Sequence, residues 1–134
     1  MDINFVAVVG AAIASMAVGS TWFSQSLFGK AWLREAGISG GEIDKAKAKG
    51  MGKTYAAAFV GALITAYVLA YFVGHTGMAS AGATIGFWAW LGFLAPVDYG
   101  AVLWQGKSVR YFWIITLHNL VSLLVMGAII GAFN

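Results

Sequence analysis

The sequence predicts an all-α, polytopic membrane protein. Its four transmembrane helices form two hairpins of the same orientation, with a short amphipathic cytoplasmic helix between the first two spans. Three observations carry this. Of 134 residues, 60% are hydrophobic and only 10% charged, where soluble domains carry about 25% charged residues. The apolar residues fall into four long runs, each near the ~20 residues that cross a ~30 Å hydrocarbon core. All eight Lys and Arg lie in two short segments between runs. A chain this short cannot hide so much apolar surface in a soluble core, so lipid must cover it. One domain, residues 1–134, is the natural count.

The first run, Ile3–Phe23, predicts a span whose helix continues to Phe28. It resembles a signal peptide only superficially: Asp2 precedes it, no Lys or Arg does, and the run is too long for a signal core. A polar connector follows, Lys30–Lys53. Within it, Ser39-Gly40-Gly41-Glu42 has capping-box spacing, which predicts a surface helix over Glu42–Lys49. Gly50 and Gly52 then break it. The second span is placed at Thr54–Gly74, the third at Ala79–Leu103 and the fourth at Val109–Phe133.

The charges set the orientation. The first connector holds six basic residues (Lys30, Arg34, Lys45, Lys47, Lys49 and Lys53), and the last turn holds Lys107 and Arg110. The termini and the His75–Met78 loop hold none. The positive-inside rule therefore puts both basic segments in the cytoplasm and both termini outside. The net charge of +3 is thus a topology signal and implies no nucleic-acid partner. There is no cysteine, so no disulfide or thiolate site.

Aromatic residues flank the basic ends. Trp22, Trp32, Trp104 and Trp113 read as anchors at the membrane interface, with Tyr55 and Tyr111 beside them. Trp88 and Trp90 lie deeper. Tyr67 and Tyr71 share a face of the second span, where packing in the core accounts for them. Gly82/Gly86 and Gly127/Gly131 have GxxxG spacing, and Ala57/Gly61/Thr65 continues the small-residue pattern. Such residues let helix backbones approach closely, within the bundle, between copies or against a partner.

The candidate site lies between the last two spans. Asp98 is the only acid inside an apolar run, and His118 is the more deeply placed histidine. Asp98 precedes Lys107 by nine residues and His118 follows Arg110 by eight, so both lie about 12–13 Å in from the same turn. A charged side chain at the centre of a span costs about 2.5–3.5 kcal/mol on insertion scales, so Asp98 either faces the bundle with a hydrogen-bond partner or titrates. Pro96 cannot donate to the carbonyl of Gly92 and predicts a kink there. Arg110, Ile114, His118 and Ser122 form one stripe, with Asn119 about 100° round from it. Ser24 and Gln25, near the inner end of the first span, are placed to line an approach to Asp98. Together Asp98, His118, Asn119, Gln25 and Ser24 make a candidate proton or solute site. The same residues also admit a plain reading, in which hydrogen bonds at Asp98 and His118 lock the helices together.

Soluble catalytic patterns are absent: nothing reads as a phosphate loop, a dinucleotide fingerprint or a zinc helix, and no serine has the strand-to-helix context of a nucleophile elbow. No HxxxH or ExxH spacing suggests a metal, and no cofactor is implied.

Three stretches carry a resemblance. They are Trp22-Phe23-Ser24-Gln25-Ser26-Leu27-Phe28-Gly29-Lys30-Ala31-Trp32, then Lys45-Ala46-Lys47-Ala48-Lys49-Gly50-Met51-Gly52-Lys53, and Asp98-Tyr99 before the last basic turn. The chain resembles the small bacterial membrane proteins classed as domain of unknown function 1761, over nearly its whole length. The resemblance implies a four-span protein of the bacterial inner membrane and brings no activity, substrate or catalytic residue. Family members often have proline where this chain has Gln25 or Ser26, which bears on where the first helix ends.

The function expected is that of a homo-oligomeric transporter or channel for a small solute or proton, working through the Asp98/His118 site. The competing expectation is a structural accessory subunit of a larger membrane complex. A membrane enzyme acting on lipid or quinone, with His118 as acid/base, is a third and weaker reading. The partners expected are the lipid bilayer and further copies of the chain or a larger complex.

Overall fold

Four helices long and apolar enough to cross a membrane build the body of the protein, as seen in a computed structural model that describes residues 2–134. They are α1 (Phe5–Trp22), α4 (Gly52–Val73), α5 (Ala79–Gln105) and α6 (Val109–Phe133). Two short helices, α2 (Gly29–Ala36) and α3 (Gly40–Ala48), occupy the connector between α1 and α4. Among the described residues there is no strand.

Local chemistry sets the ends of these helices. The Asn4 side chain accepts from the amides of Val6 and Ala7, at 3.0 and 3.3 Å, and starts α1. Ser39 caps α3 by accepting from Glu42 N–H at 3.2 Å, which is the serine half of the predicted capping box. Ser108 caps α6 by accepting from Tyr111 N–H at 3.0 Å. At the other ends, Gly74 and Gly106 take φ values of +65° and +70°, which favour glycine and stop α4 and α5.

The first span is shorter than its apolar run. α1 ends at Trp22, not Phe28. Phe28 N–H bonds back to Trp22 C=O at 3.0 Å and Gly29 N–H to Ser24 C=O at 2.9 Å, so residues 23–28 fold into a tight turn. Gly29 permits it: a Cβ there would overlap the carbonyl of Phe23 and lie 2.7 Å from that of Ser24. The apolar run continues through the turn with Leu27 and Phe28, the latter against the Trp22 ring, and hydropathy alone cannot register the change of direction. The unforeseen helix α2 begins immediately after it.

α6 is the hub. It packs against α1, α4 and α5, whereas α4 and α5 meet only briefly. The α5–α6 seam is made by glycine. Gly82 and Gly86 lie against the backbone of Gly127 and Leu123, and Gly131 against Met78 and Gly82. The GxxxG pairs thus serve packing within one copy. The α1–α4 seam is made by alanine, with Ala11, Ala12, Ala66 and Ala70 fully buried. Larger side chains (Leu69, Leu123, Met126 and Ile130) fill the space between the seams. The Ala57/Gly61/Thr65 series lies instead on the exposed side of α4. Tyr67 and Tyr71 are exposed there too, joined hydroxyl to hydroxyl at 3.0 Å, so the expectation that they pack in the core is corrected. The stacking of Phe5 on Tyr67 holds them on the outer surface.

Hydrogen bonds gather the loops into two groups. At one end Asn4 N–H donates to Asn134 Oδ1 at 2.9 Å, and Asn134 Nδ2 donates to Gly74 C=O at 3.0 Å. At the other, Lys107 Nζ donates to the C-terminal carbonyl of α2, on Ala36, at 2.8 Å. Beside it Ser108 Oγ donates to Glu35 Oε2 at 2.6 Å. The turn between α5 and α6 is thereby latched to the connector helix.

Candidate functional site

The site starts from an irregularity in α5. Pro96 has no N–H to give the carbonyl of Gly92, and its ring crowds that carbonyl. The helix meets this with a π turn over Trp90–Leu94, in which Ala95 N–H bonds to Trp90 C=O. The predicted disturbance at Pro96 thus takes the form of a widened turn just before it. Trp90 is buried there, and its Nε1–H donates to Thr116 C=O and Oγ1 on α6, at 2.8 and 3.0 Å. Towards the glycine seam the backbones of α5 and α6 touch. Beyond the π turn the contacts between them thin out. A cavity of about 310 Å³ opens in the gap, lined by Asp98, Ala101, Trp104, Gln105, Tyr111 and Ile115, among others.

Asp98 is half-buried at this cavity. Its Oδ2 accepts from Asn119 Nδ2 at 2.9 Å. Asn119 Oδ1 in turn lies 3.1 Å from His118 Nδ1. The amide fixes the roles along this chain. Asn119 presents its NH₂ to Asp98 and its oxygen to His118. With the amide so placed, the contact is a hydrogen bond in the tautomer that carries its proton on His118 Nδ1. In a neutral ring Nε2 is then the acceptor. It faces α1 beside Gly19, where a built Cβ would come within 3.4 Å of it. The rings of Phe23 and Trp22 flank the imidazole, with centroids 5.0 and 6.3 Å away.

Asp98 and His118 come together, then, but not face to face. Adjacent residues on a helix point about 100° apart. Asn119 points at α5 and His118 at α1, so the amide bridges the two ionisable groups that equal depth had suggested as direct partners. Of the predicted stripe on α6, the His118 and Ser122 side chains face α1, and Arg110 is exposed. Trp22 Nε1–H donates to Ile114 C=O at 3.0 Å, and Ser122 Oγ meets Ser15 Oγ at 2.7 Å.

Ser24 and Gln25 are not part of this arrangement. Ser24 Oγ donates to Thr21 C=O at 2.8 Å within the turn that follows α1, and Gln25 is exposed. Neither lines the cavity at Asp98. The four tryptophans read as anchors also divide. Trp104 and Trp113 project outward, 85% and 49% exposed. Trp22 and Trp32 are half-buried, Trp22 against Phe28 and Trp32 edge-on to Phe23, and serve the turn. Gln105 and Tyr111 were not singled out as site residues from sequence. The i, i+3, i+7 series Asp98, Ala101, Gln105 was the available signal, since it puts the amide on the acid's face.

A family model described as "Protein of unknown function (DUF1761)" matches residues 6–131, essentially the whole chain. The chain belongs to this family. No curated protein and no solved structure matches it. Membership in DUF1761 fits the four apolar helices and assigns no reaction or ligand. Whatever chemistry this DUF1761 protein performs must be argued from its own side chains.

Proposed function

We propose that this DUF1761 protein is a homo-oligomeric transporter or channel of the inner membrane for a proton or small solute. Its working centre would be Asp98, Asn119 and His118. The observation that carries the reading is the hydrogen-bonded chain across α6, from a carboxylate at an open cavity to an imidazole facing α1. Ionisable residues are expensive inside a membrane and mark ion and proton paths more often than they mark simple packing. The cavity would admit the solute to Asp98. His118 would take or release a proton on the other side of α6, and Asn119 would hold the two groups apart until a solute or water displaces it.

Proteoliposomes containing this chain alone test the reading. Asp98→Asn keeps an oxygen for Asn119 to donate to but removes the charge. We expect it to abolish flux while the protein still assembles. Flux equal to that of the wild type would remove Asp98 from the mechanism. Loss of assembly, with no flux from the wild type either, would favour a structural subunit of a larger complex.

The orientation proposed has both basic segments in the cytoplasm and both termini outside, giving two hairpins of the same orientation. The connector helices would lie against the inner leaflet, where lysines attract anionic lipid. The latch between Lys107 and the end of α2 supports this, because it gathers the two basic segments at one end of the bundle. The chain has no cysteine, so single cysteines report cleanly. On intact cells a membrane-impermeant maleimide should label Thr76→Cys and spare Lys45→Cys. The reverse pattern would invert the topology.

A further inference from the structure

We infer that the cavity at Asp98 is a binding site for a small organic cation bearing a substituted ammonium group. This rests on the reading of Asp98 as the working centre and names the ligand class that centre takes. The charge is the first argument. Asp98 sits within a span, and among the described residues no Lys, Arg or His nitrogen lies within 4.0 Å of its carboxylate. His118 is screened from it by the Asn119 amide. Lys107, the nearest basic residue in sequence, stops short of Asp98 at the edge of the cavity. Its Nζ bonds to Ala36 C=O and lies 5.5 Å from the Tyr111 ring centroid. An ionised intramembrane acid needs a compensating charge. Asn119 occupies only Oδ2, and Oδ1 accepts no hydrogen bond among the described residues.

The walls select the kind of cation. A bare divalent ion wants six or more oxygens, as Ca²⁺ does, or an octahedral shell, as Mg²⁺ does. Among the described residues no three His, Cys, Asp or Glu side chains gather to supply such a set. The cavity offers one carboxylate, the Gln105 amide and the aromatic side chain of Trp104, while the Tyr111 ring on its wall already faces Lys107 Nζ. A carboxylate beside aromatic faces is the chemistry that holds quaternary and substituted ammonium groups, and tryptophan is the best such face. Trp104 stands at the cavity wall and is 85% exposed, so few contacts within the chain occupy its ring. The volume of about 310 Å³ is at the low end of ligand pockets, which limits the guest to a small amine. The ammonium group could be that of a free amine or of a zwitterionic lipid headgroup. The chemistry of recognition is the same.

The test is equilibrium binding of radiolabelled choline to the full chain in nanodiscs of phosphatidylglycerol, which carries no ammonium group. Saturable binding is expected, uncontested by the neutral analogue in which a tert-butyl group replaces the trimethylammonium. Asp98→Asn should weaken it at least tenfold. Trp104→Ala alters an exposed side chain and so spares the fold, and it should weaken binding about fivefold. Repeating the titration in phosphatidylcholine discs separates the sources. Weakened choline binding there means that lipid headgroups fill the site, and unchanged binding means a free amine. Absence of saturable binding in phosphatidylglycerol, equal competition by the neutral analogue, or indifference to both substitutions would overturn the assignment. Proton flux that depends on Asp98 without choline binding would sink this inference alone. Choline binding that depends on Asp98 without any flux would sink the transport reading alone.

Discussion

Gly82→Ala should prevent the native bundle from forming, or lower its melting temperature more than any other single-methyl change in the chain. A Cβ at Gly82 would overlap the carbonyl oxygen of Gly127 and lie 2.9 Å from the Cα of Gly131. Overpacking usually costs about 1–3 kcal/mol, because neighbouring side chains turn aside. Here the obstacle is backbone on both sides, and only a shift of α5 against α6 relieves it. The cost should therefore reach or exceed the top of that range, and Gly127→Ala should behave alike, since its Cβ would meet the Gly82 carbonyl. Alanine is the better helix former by about 1 kcal/mol, so propensity works in the opposite direction and loses. Gly61→Ala is the control. Nothing lies within 4 Å of the added methyl, and it should be neutral or slightly stabilising. Tryptophan fluorescence on heating in micelles gives the comparison. A Gly82→Ala protein that melts like the wild type would show that α5 and α6 do not touch at this point.

That seam also shows what a sequence can and cannot disclose. Number, order and approximate extent of the spans follow from hydropathy, because lipid imposes length and apolarity on each helix separately. The glycine spacing announced a close approach, but the partner depends on how each helix is rotated about its axis. Gly82 and Gly61 look alike in sequence, and one is buried against backbone while the other faces outward. The same limit applied at the site. Depth in the membrane brought Asp98 and His118 to one level, and rotation then put Asn119 between them. The turn at residues 23–28 was illegible for a different reason. Leu27 and Phe28 are as apolar as a continuing helix would be, and the reversal is fixed by backbone hydrogen bonds to Trp22 and Ser24 that composition does not encode. Trp22 and Trp32 shared that ambiguity: a belt at the interface and a packed turn use the same residue type at the same height.

Asn119→Leu should be the most damaging change at the site that leaves both ionisable groups in place. Leucine has nearly the shape of asparagine but neither donates nor accepts. It would strip the donor from Asp98 Oδ2 and the acceptor from His118 Nδ1 together. Leaving a buried polar group unsatisfied costs about 1–3 kcal/mol. Hydrogen bonds between helices in a membrane average about 0.6 kcal/mol, because a stranded group finds other partners. The two groups should fall on different sides of that comparison. Asp98 opens onto the cavity, where water can replace the amide. His118 is half-buried against Phe23, Trp22 and Gly19 rather than opening onto that cavity, and has less recourse. We therefore expect a loss of about 1–2 kcal/mol in stability, mostly from the histidine side, and a fall in flux of at least tenfold. A double-mutant cycle with Asp98→Asn separates position from charge. If Asn119 acts by orienting Asp98, its loss should matter little once the carboxylate is gone, and the two effects on flux should fall well short of adding. Additive effects would mean that Asn119 works independently of Asp98, and normal flux in Asn119→Leu would mean that the bridge is structural only.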